Sequence, residues 1–250
     1  MSFTFNGVNC ESMGMRVERY PIRPFPARKQ TIYKVAGRSG DLIVDEDAYE
    51  NVTQEYEVYV GHDGATMQDK LTAIAAWLLT PSGYCVLTDS YDPNTKRMAR
   101  FVGGFDFINS LNKFGKATAV FDCKPQRYPI TDVVYSGTMA EGVPVAITLP
   151  ASSMLPSYPL LEITNVGANT SFRVVTGTLT IVVPARAVAI NKIIIDWESQ
   201  AVYNAFNNST PSNTSVFGDW TKIGNGDTVT LTCETSPSPN YSFNPRQYSL

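Results

Sequence analysis

The stretch Thr53-Gln54-Glu55-Tyr56-Glu57-Val58-Tyr59-Val60 (TQEYEVYV) alternates polar and apolar side chains, with Tyr56, Val58 and Val60 on one face. Successive side chains of a β-strand point to opposite faces of a sheet, so this alternation predicts a strand with one buried face. Three more segments of the N-terminal half share the pattern: residues 83–89, 100–108 and 117–122. This half of the chain is therefore predicted to be mainly β-sheet.

One helix is predicted within this β pattern. Thr66 can cap its first turn, in which Asp69 supplies a carboxylate. An apolar stripe at helical spacing follows, made of Met67, Leu71, Ile74, Ala75 and Leu78. Pro81 and Gly83 end the helix. We expect this stripe to pack against the sheet rather than to hold a cofactor.

The charge distribution predicts two domains. Residues 1–130 carry 15 basic and 15 acidic side chains, whereas residues 131–250 carry only 5 basic and 8 acidic ones. Residues 131–156 are rich in glycine and proline and are predicted to form a connector. Six short β segments follow, at residues 160–165, 170–176, 178–183, 190–196, 201–204 and 228–234. Their spacing predicts a C-terminal β-sandwich over residues 157–250.

A projecting hairpin is predicted near the N-terminus. The run Pro21-Ile22-Arg23-Pro24-Phe25-Pro26 is too proline-dense for a central strand. An extended run over residues 28–35 follows it, then a glycine-rich turn over residues 36–41, then a second extended run to Val60. We expect a hairpin of about residues 28–60, whose exposed strand edges need a partner.

The residues offer little chemistry for catalysis. His62 is the one histidine, in a turn-like stretch, and a surface loop residue is the favoured interpretation. The four cysteines are far apart and form no CxxC motif, which indicates buried free thiols in a reducing compartment. The net charge of −3 gives no general attraction for nucleic acid. We predict no enzyme, no cofactor, no metal site, no signal peptide and no membrane span.

Three weaker patterns have ordinary structural interpretations. Residues 37–41 lack the Lys-Ser/Thr ending of a phosphate loop. An acidic group lies nearby, made of Asp41, Asp45, Glu46 and Asp47. It lacks the spacing of an EF-hand, so a solvated turn is favoured over a Ca²⁺ site. Trp197 and Trp220 are candidate glycan or partner contacts, although core positions are favoured for both.

Several blocks of the chain resemble the distal tail proteins (Dit) of siphophages, particularly those infecting Gram-positive bacteria. In the N-terminal half these are residues 3–8 (FTFNGV), 35–40 (VAGRSG), 47–51 (DAYEN), 76–78 (AWL) and 121–128 (FDCKPQRY). In the C-terminal half they are residues 158–163 (YPLLEI), 194–196 (IID) with Ala201 and Tyr203, 224–227 (GNGD) and 244–248 (NPRQY). Their order covers essentially the whole chain. Ala36 replaces the proline usual in the family's turn.

The resemblance implies a virion structural protein of the tail tip or baseplate, assembled in the host cytoplasm. Such proteins form a homo-hexameric ring that joins the major tail (tube) protein to the tail-associated (Tal) protein. Receptor-binding and tape-measure proteins are further implied partners, and DNA passes through the lumen without specific binding. The C-terminal domain is implied to be a galectin-like or carbohydrate-module-like β-sandwich.

The hairpin is the candidate subunit interface under this interpretation. Its candidate residues are Arg28, Lys34, Gly37, Arg38, Gly40, Asp41 and Asp47. The basic members and Lys29 could pair with the acidic group across the interface. Two alternatives stay open: a carbohydrate-binding protein that recognises host cell-wall polysaccharide through its C-terminal sandwich, and a glycoside hydrolase.

Overall fold

The computed structural model describes residues 1–61, 66–103, 108–110 (backbone only), 114–150, 154–211, 213–235 and 238–250. His62 lies outside these residues. The chain divides into two compact units, Met1–Ile130 with Leu250, and Thr131–Ser249. The fold is mostly β with a single α-helix in the described chain, as the sequence predicts. That helix is too short and too polar to span a membrane.

The first unit combines one large antiparallel sheet, a helix and a separate hairpin. Its elements are β1 (Phe3–Phe5), β2 (Val8–Asn9), a 3₁₀ turn (Cys10–Met13), β3 (Met15–Val17), β4 (Arg28–Tyr33), β5 (Leu42–Tyr49), β6 (Val52–Gly61), α1 (Met67–Leu79), β7 (Cys85–Asp89), β8 (Thr95–Phe101), β9 (Ile108–Ser110) and β10 (Phe114–Pro129). The main sheet has the order β2-β1-β7-β8-β10-β6-β3, and β9 also pairs with β10. Strands β4 and β5 form a separate two-stranded sheet.

The alternation in β6 produces the predicted buried face. Tyr56, Val58 and Val60 are buried, together with Val52 and the amide of Gln54. They join a core with an aromatic centre formed by Phe3, Phe5, Tyr56, Phe101 and Phe121. Burial of these apolar side chains stabilises the first unit.

Helix α1 forms where its capping signal and apolar stripe predict. The Thr66 hydroxyl accepts a hydrogen bond from the Asp69 backbone N–H at 3.2 Å, and the helix ends at Leu79. Ile74 and Leu78 are buried in the core of the unit. Trp77 adds a polar tie, because its indole N–H donates to the Phe5 carbonyl at 3.1 Å.

Two strand boundaries of the first unit differ from the predictions. The segment predicted at residues 100–108 is mostly earlier in the structure, because β8 runs from Thr95 to Phe101. Strand β10 runs from Phe114 to Pro129, beyond the predicted segment 117–122, and its register with β8 shifts between Cys123 and Arg127. A bulge tolerates proline because no ladder hydrogen bond is required there.

Two arginines are buried in the first unit on adjacent positions of β8 and β10. Arg97 and Arg127 are cross-strand partners. Arg97 donates to the Gln54 side-chain oxygen at 3.3 Å, and Arg127 donates to the Asp92 carboxylate at 3.1 Å. These partners offset the repulsion expected between like charges directly opposite each other.

The second unit is a sandwich of two five-stranded antiparallel sheets. Its strands are β11 (Tyr135–Thr138), β12 (Val145–Thr148), β13 (Leu160–Val166), β14 (Phe172–Val175), β15 (Leu179–Val183), β16 (Ile190–Asp196), β17 (Ala201–Asn204), β18 (Ser215–Gly218), β19 (Thr228–Cys233) and β20 (Asn240–Asn244). The sheets have the orders β11-β20-β13-β16-β17 and β12-β19-β14-β15-β18. Residues from both sheets form one continuous core.

The six predicted β segments of this unit are all present, but the predicted connector is not a simple linker. Residues 131–156 supply β11 and β12, which pair with β20 and β19. Met139 and Leu149 from this region are buried in the core. Four-residue edge strands carry too short an alternation to stand out among glycines and prolines. The block at residues 244–248, which resembles the closing strand of the family, lies mostly after β20, because β20 ends at Asn244.

Candidate interaction surface

The hairpin of β4 and β5 is shorter than predicted. Its strands pair from Arg28 with Tyr49 to Tyr33 with Leu42. The Glu50 N–H donates to the Ala27 carbonyl at 2.8 Å and closes the base. Beyond Asn51 the chain enters the main sheet as β6, so the hairpin spans residues 28–49 rather than about 28–60.

The hairpin turn contains the two predicted glycines in the conformation that favours glycine. Gly37 has φ of 79° and Gly40 has φ of 86°, both in the left-handed region. Between them, the Arg38 N–H donates to the Val35 carbonyl at 3.2 Å. A side chain at either glycine would meet open space, so backbone conformation rather than packing restricts these positions.

Exposure is the dominant property of this hairpin. Every residue from Ile32 to Asp47 is exposed. The large apolar side chains Ile32, Tyr33, Leu42, Ile43 and Val44 are between 40% and 58% exposed. A two-stranded hairpin with so little burial is marginally stable on its own. Contiguous exposed apolar surface of this kind is typical of interaction sites.

The electrostatic contacts of the hairpin differ in part from the predicted cross-interface pairs. Arg28 pairs with Asp45 at 2.6 Å inside the hairpin and lies over the Tyr49 ring. This hydrogen bond lowers the pKa of the Asp45 carboxyl and raises that of the Arg28 guanidinium. Arg28 therefore stabilises the fold of the hairpin itself.

The remaining charged candidates surround the hairpin turn. Lys34, Arg38 and Asp41 are exposed and form no ion pair within the described part of the chain. Asp47 has φ of 49°, and its backbone N–H donates to the Asp45 carboxylate at 3.0 Å. The acidic group is thus partly used in a local turn. No cluster of three metal-ligating side chains occurs among the described residues.

The proline-rich segment before the hairpin continues the exposed apolar surface. Tyr20, Ile22 and Phe25 are all more than 70% exposed. The segment is held to β6 because the buried Gln54 amide donates to the Ile22 carbonyl at 3.1 Å. Of the 22 exposed large hydrophobic residues in the described chain, nine lie between Tyr20 and Val44. Residues 20–44 therefore hold the largest concentration of exposed apolar side chains in the described part of the first unit.

An open groove of about 260 Å³ lies between this segment and β6. It is lined by Arg19, Tyr20, Pro21, Ile22, Thr53, Glu55 and Glu57. Arg19 forms an ion pair with Glu57. Glu55 is exposed and has no ion-pair partner in the residues described. The groove therefore combines apolar walls with an unneutralised carboxylate.

The structure does not bring the two tryptophans onto a glycan platform. Trp197 is 1% exposed and lies in the core of the sandwich. Its ring meets Trp220 edge-on at 5.5 Å between centroids, and Trp220 is half-buried against the same core. Sugar stacking needs an accessible aromatic face, so Trp197 is excluded as a direct glycan contact in this conformation.

Exposed apolar residues beside two edge strands of the sandwich were not predicted. Phe206 follows edge strand β17 and is 95% exposed. Val216 and Phe217 are exposed on β18, the edge strand of the other sheet. Residues 199–218 contain no charged side chain. That absence of charge was the available sequence signal, but the asparagine- and serine-rich composition indicated only a loose turn.

Comparisons with known proteins give a likeness among solved structures. No protein-family model matches the chain, and no curated protein matches it. Among solved structures, the crystal structure of the Dit protein (gp 19.1) of SPP1 matches with a TM-score of 0.67 and 14% sequence identity. The match covers 97% of each chain. That protein is described as a paradigm of the hub adsorption apparatus in phages infecting Gram-positive bacteria. The likeness to the Dit fold that the sequence blocks indicated is therefore confirmed across both units of the chain.

Proposed function

We propose that this chain is a distal tail protein, a structural hub at the tail tip of a siphophage, and not an enzyme. The observation that carries the proposal is the fold likeness to SPP1 Dit over 97% of both chains. Because the likeness includes both units in one chain, it favours a shared architecture over a common β-sandwich alone. Fold likeness does not by itself define function, so the interaction surfaces are the second support.

The first unit is proposed to build a homo-hexameric ring through its hairpin. Exposed backbone edges and exposed apolar side chains both become more stable when another chain covers them. A neighbouring copy offers the same surface at every position of a closed ring. The candidate interface residues under this proposal are Arg28, Lys34, Gly37, Arg38, Gly40, Asp41 and Asp47. Arg28 also stabilises the hairpin through its ion pair with Asp45.

The ring is proposed to connect the parts of a tail. The major tail (tube) protein would bind on one side and the tail-associated (Tal) protein on the other, with the tape-measure protein and DNA passing through the lumen. Residues 1–130 carry equal numbers of basic and acidic side chains. Tight DNA binding needs an excess of basic groups on phosphates, so the balance fits a passage that does not hold DNA.

The second unit is proposed to be an outward docking platform. Its uncharged stretch, residues 199–218, exposes Phe206, Val216 and Phe217 and fits a neutral, partly apolar partner surface such as that of a receptor-binding protein. The same absence of charge keeps one alternative in view, namely direct binding of a neutral cell-wall polysaccharide. Binding of purified polysaccharide that is lost in Phe206→Ala or Trp220→Ala would favour that alternative over the docking role.

The proposed ring is tested by the mass of the purified chain in solution. Light scattering coupled to size-exclusion chromatography is expected to give six copies for the unaltered chain. Replacing residues 34–41 with Asn-Gly should leave a folded monomer, because Asn-Gly closes a two-residue hairpin turn and removes the exposed tip. A matched control shortens the exposed polar loop at residues 207–210 of the second unit. A shortened hairpin that still gives six copies would contradict the proposal.

A further inference from the structure

Two arginine side chains of the main sheet are buried without a full set of acceptors. Arg97 on β8 and Arg127 on β10 are direct cross-strand partners, so both side chains lie on the same face of the sheet. The Arg127 side chain is only 5% exposed, and its Nη2 atom has no hydrogen-bond partner among the described residues. A buried donor that lacks an acceptor is destabilising. A further acceptor is therefore expected beside this atom.

Arg97 is buried beside neutral partners. Its Nη1 atom donates to the Gln54 side-chain oxygen at 3.3 Å, which is long for a hydrogen bond of this type. It also interacts with the Cys123 thiol, which is a weak acceptor. Arg97 forms no ion pair within the part of the chain that the structure describes. Because arginine stays charged when it is buried, Arg97 places a full positive charge in the core.

The two carboxylates near these arginines already accept hydrogen bonds from other groups. Asp92 accepts from Arg127 at 3.1 Å and lies 3.9 Å from the exposed Arg23. Asp89 accepts from the Tyr56 hydroxyl at 2.8 Å and from two backbone N–H groups at 2.9 and 3.0 Å. The arginine cluster consists of Arg23, Arg97, Arg127, Asp89 and Asp92. Its three guanidinium groups and two carboxylates leave one net positive charge.

We propose that the first unit binds one small monovalent anion between the guanidinium groups of Arg97 and Arg127. The anion supplies the missing acceptor for the Arg127 Nη2 atom and balances the net charge of the arginine cluster. A water molecule supplies an acceptor but leaves the charge unbalanced, and buried charges are strongly destabilising unless they are paired.

Burial limits the size of the ligand. Arg97 and Arg127 are 7% and 4% exposed, so a phosphodiester or the carboxylate of another protein would have to open the core to reach them. A halide ion needs no such opening, and chloride and bromide are therefore the probes. The site belongs to the fold of the first unit, so its test does not depend on whether the chain forms a ring.

Anomalous diffraction from crystals of the full chain grown in sodium bromide locates the anion directly. A bromide peak is expected at hydrogen-bonding distance from the Arg127 Nη2 atom. A water molecule at that position without an anomalous signal would overturn the proposal.

Calorimetry of the full chain tests whether the anion stabilises the fold. A ligand that binds only the folded state raises the unfolding temperature as its concentration increases. The transition of the first unit should therefore rise by several degrees over a hundredfold increase in sodium chloride. Sodium gluconate at equal ionic strength is the control, because it screens charges equally but its anion is too large for a buried site. A bromide peak without a chloride-specific rise would indicate an adventitious ion only and would contradict the proposal.

Two variants of β8 assign the effect to the arginine cluster. Arg97→Met removes the buried charge and should abolish the chloride-specific rise. Arg100→Met is the matched control and should preserve it, because Arg100 is exposed on the same strand and pairs with Asp122. If Arg97→Met does not fold, Arg97→Lys keeps the charge with fewer donors and should need several-fold more chloride for the same rise. An unchanged chloride dependence in the folded Arg97 variant would refute the site.

Discussion

Phe121→Ala is expected to destabilise the first unit severely and to leave the second unit unchanged. The Phe121 ring is fully buried on β10. Its centroid lies 5.1 to 6.0 Å from the rings of Phe3, Phe5, Tyr56 and Phe101. These rings come from β1, β6 and β8, so this side chain joins four strands of the sheet.

The expected loss is a large share of the stability of the unit. Truncating a buried phenylalanine to alanine costs about 3–5 kcal/mol of unfolding free energy. A unit of this size has a total of about 6–20 kcal/mol. At about 4 °C per kcal/mol, the first unit should unfold roughly 12–20 °C lower.

Differential scanning calorimetry of the full chain measures the effect, with the two units followed as separate transitions. Phe243→Ala is the matched change in the second unit, because Phe243 is also fully buried. It should lower the other transition. Phe25→Ala, at a residue 71% exposed, should change neither by more than about 0.5 kcal/mol. If Phe121→Ala lowered both transitions equally, the division of the core into two units would be wrong.

Three further changes have defined expectations. Gly218→Ala should lower the free energy of unfolding of the second unit by about 1–3 kcal/mol, measured by urea unfolding. The φ of Gly218 is +93°, and the new Cβ would lie 1.9 Å from the Thr178 carbonyl oxygen. An unchanged urea midpoint would contradict the β15–β18 pairing. Burial raises the pKa of the Cys123 thiol in the folded chain to about 11. As the pH rises, this thiol therefore ionises in the unfolded chain before it ionises in the folded chain. The free energy of unfolding should fall by about 1.4 kcal/mol per pH unit between about pH 9 and 11. Cys123→Ala should remove that component of the pH dependence. If the free energy of unfolding fell equally steeply with pH in the variant and in the unaltered chain, the prediction would be refuted. Arg127→Met should cost about 2 kcal/mol, since it leaves the Asp92 carboxylate without its main buried partner; a more stable variant in the same assay would show that the pair is a net cost.

Local sequence patterns were sufficient to predict a helix or strand wherever one face of that element is buried. The alternation in β6, the Thr66 cap of α1 and the apolar runs of β13 and β16 all predicted elements that the structure contains. Each pattern reflects a period set by backbone geometry, which a single segment reveals without its neighbours. The ordered blocks of sequence likewise indicated the Dit-like fold that the structural comparison confirms.

Pairing and coverage were decided only by the tertiary structure. Whether β5 continues into β6 depends on which strand accepts each hydrogen bond, and no local pattern fixes that choice. Residues 131–156 became strands because β19 and β20 offered free edges. Trp197 is buried in the core, whereas the apolar residues of the hairpin are exposed to solvent. Alternation in the sequence shows which side chains are apolar. Whether those side chains are buried depends on whether another surface packs against them. For the hairpin, the described part of the chain supplies no such surface, and the exposure of its apolar residues became evident only in the folded structure.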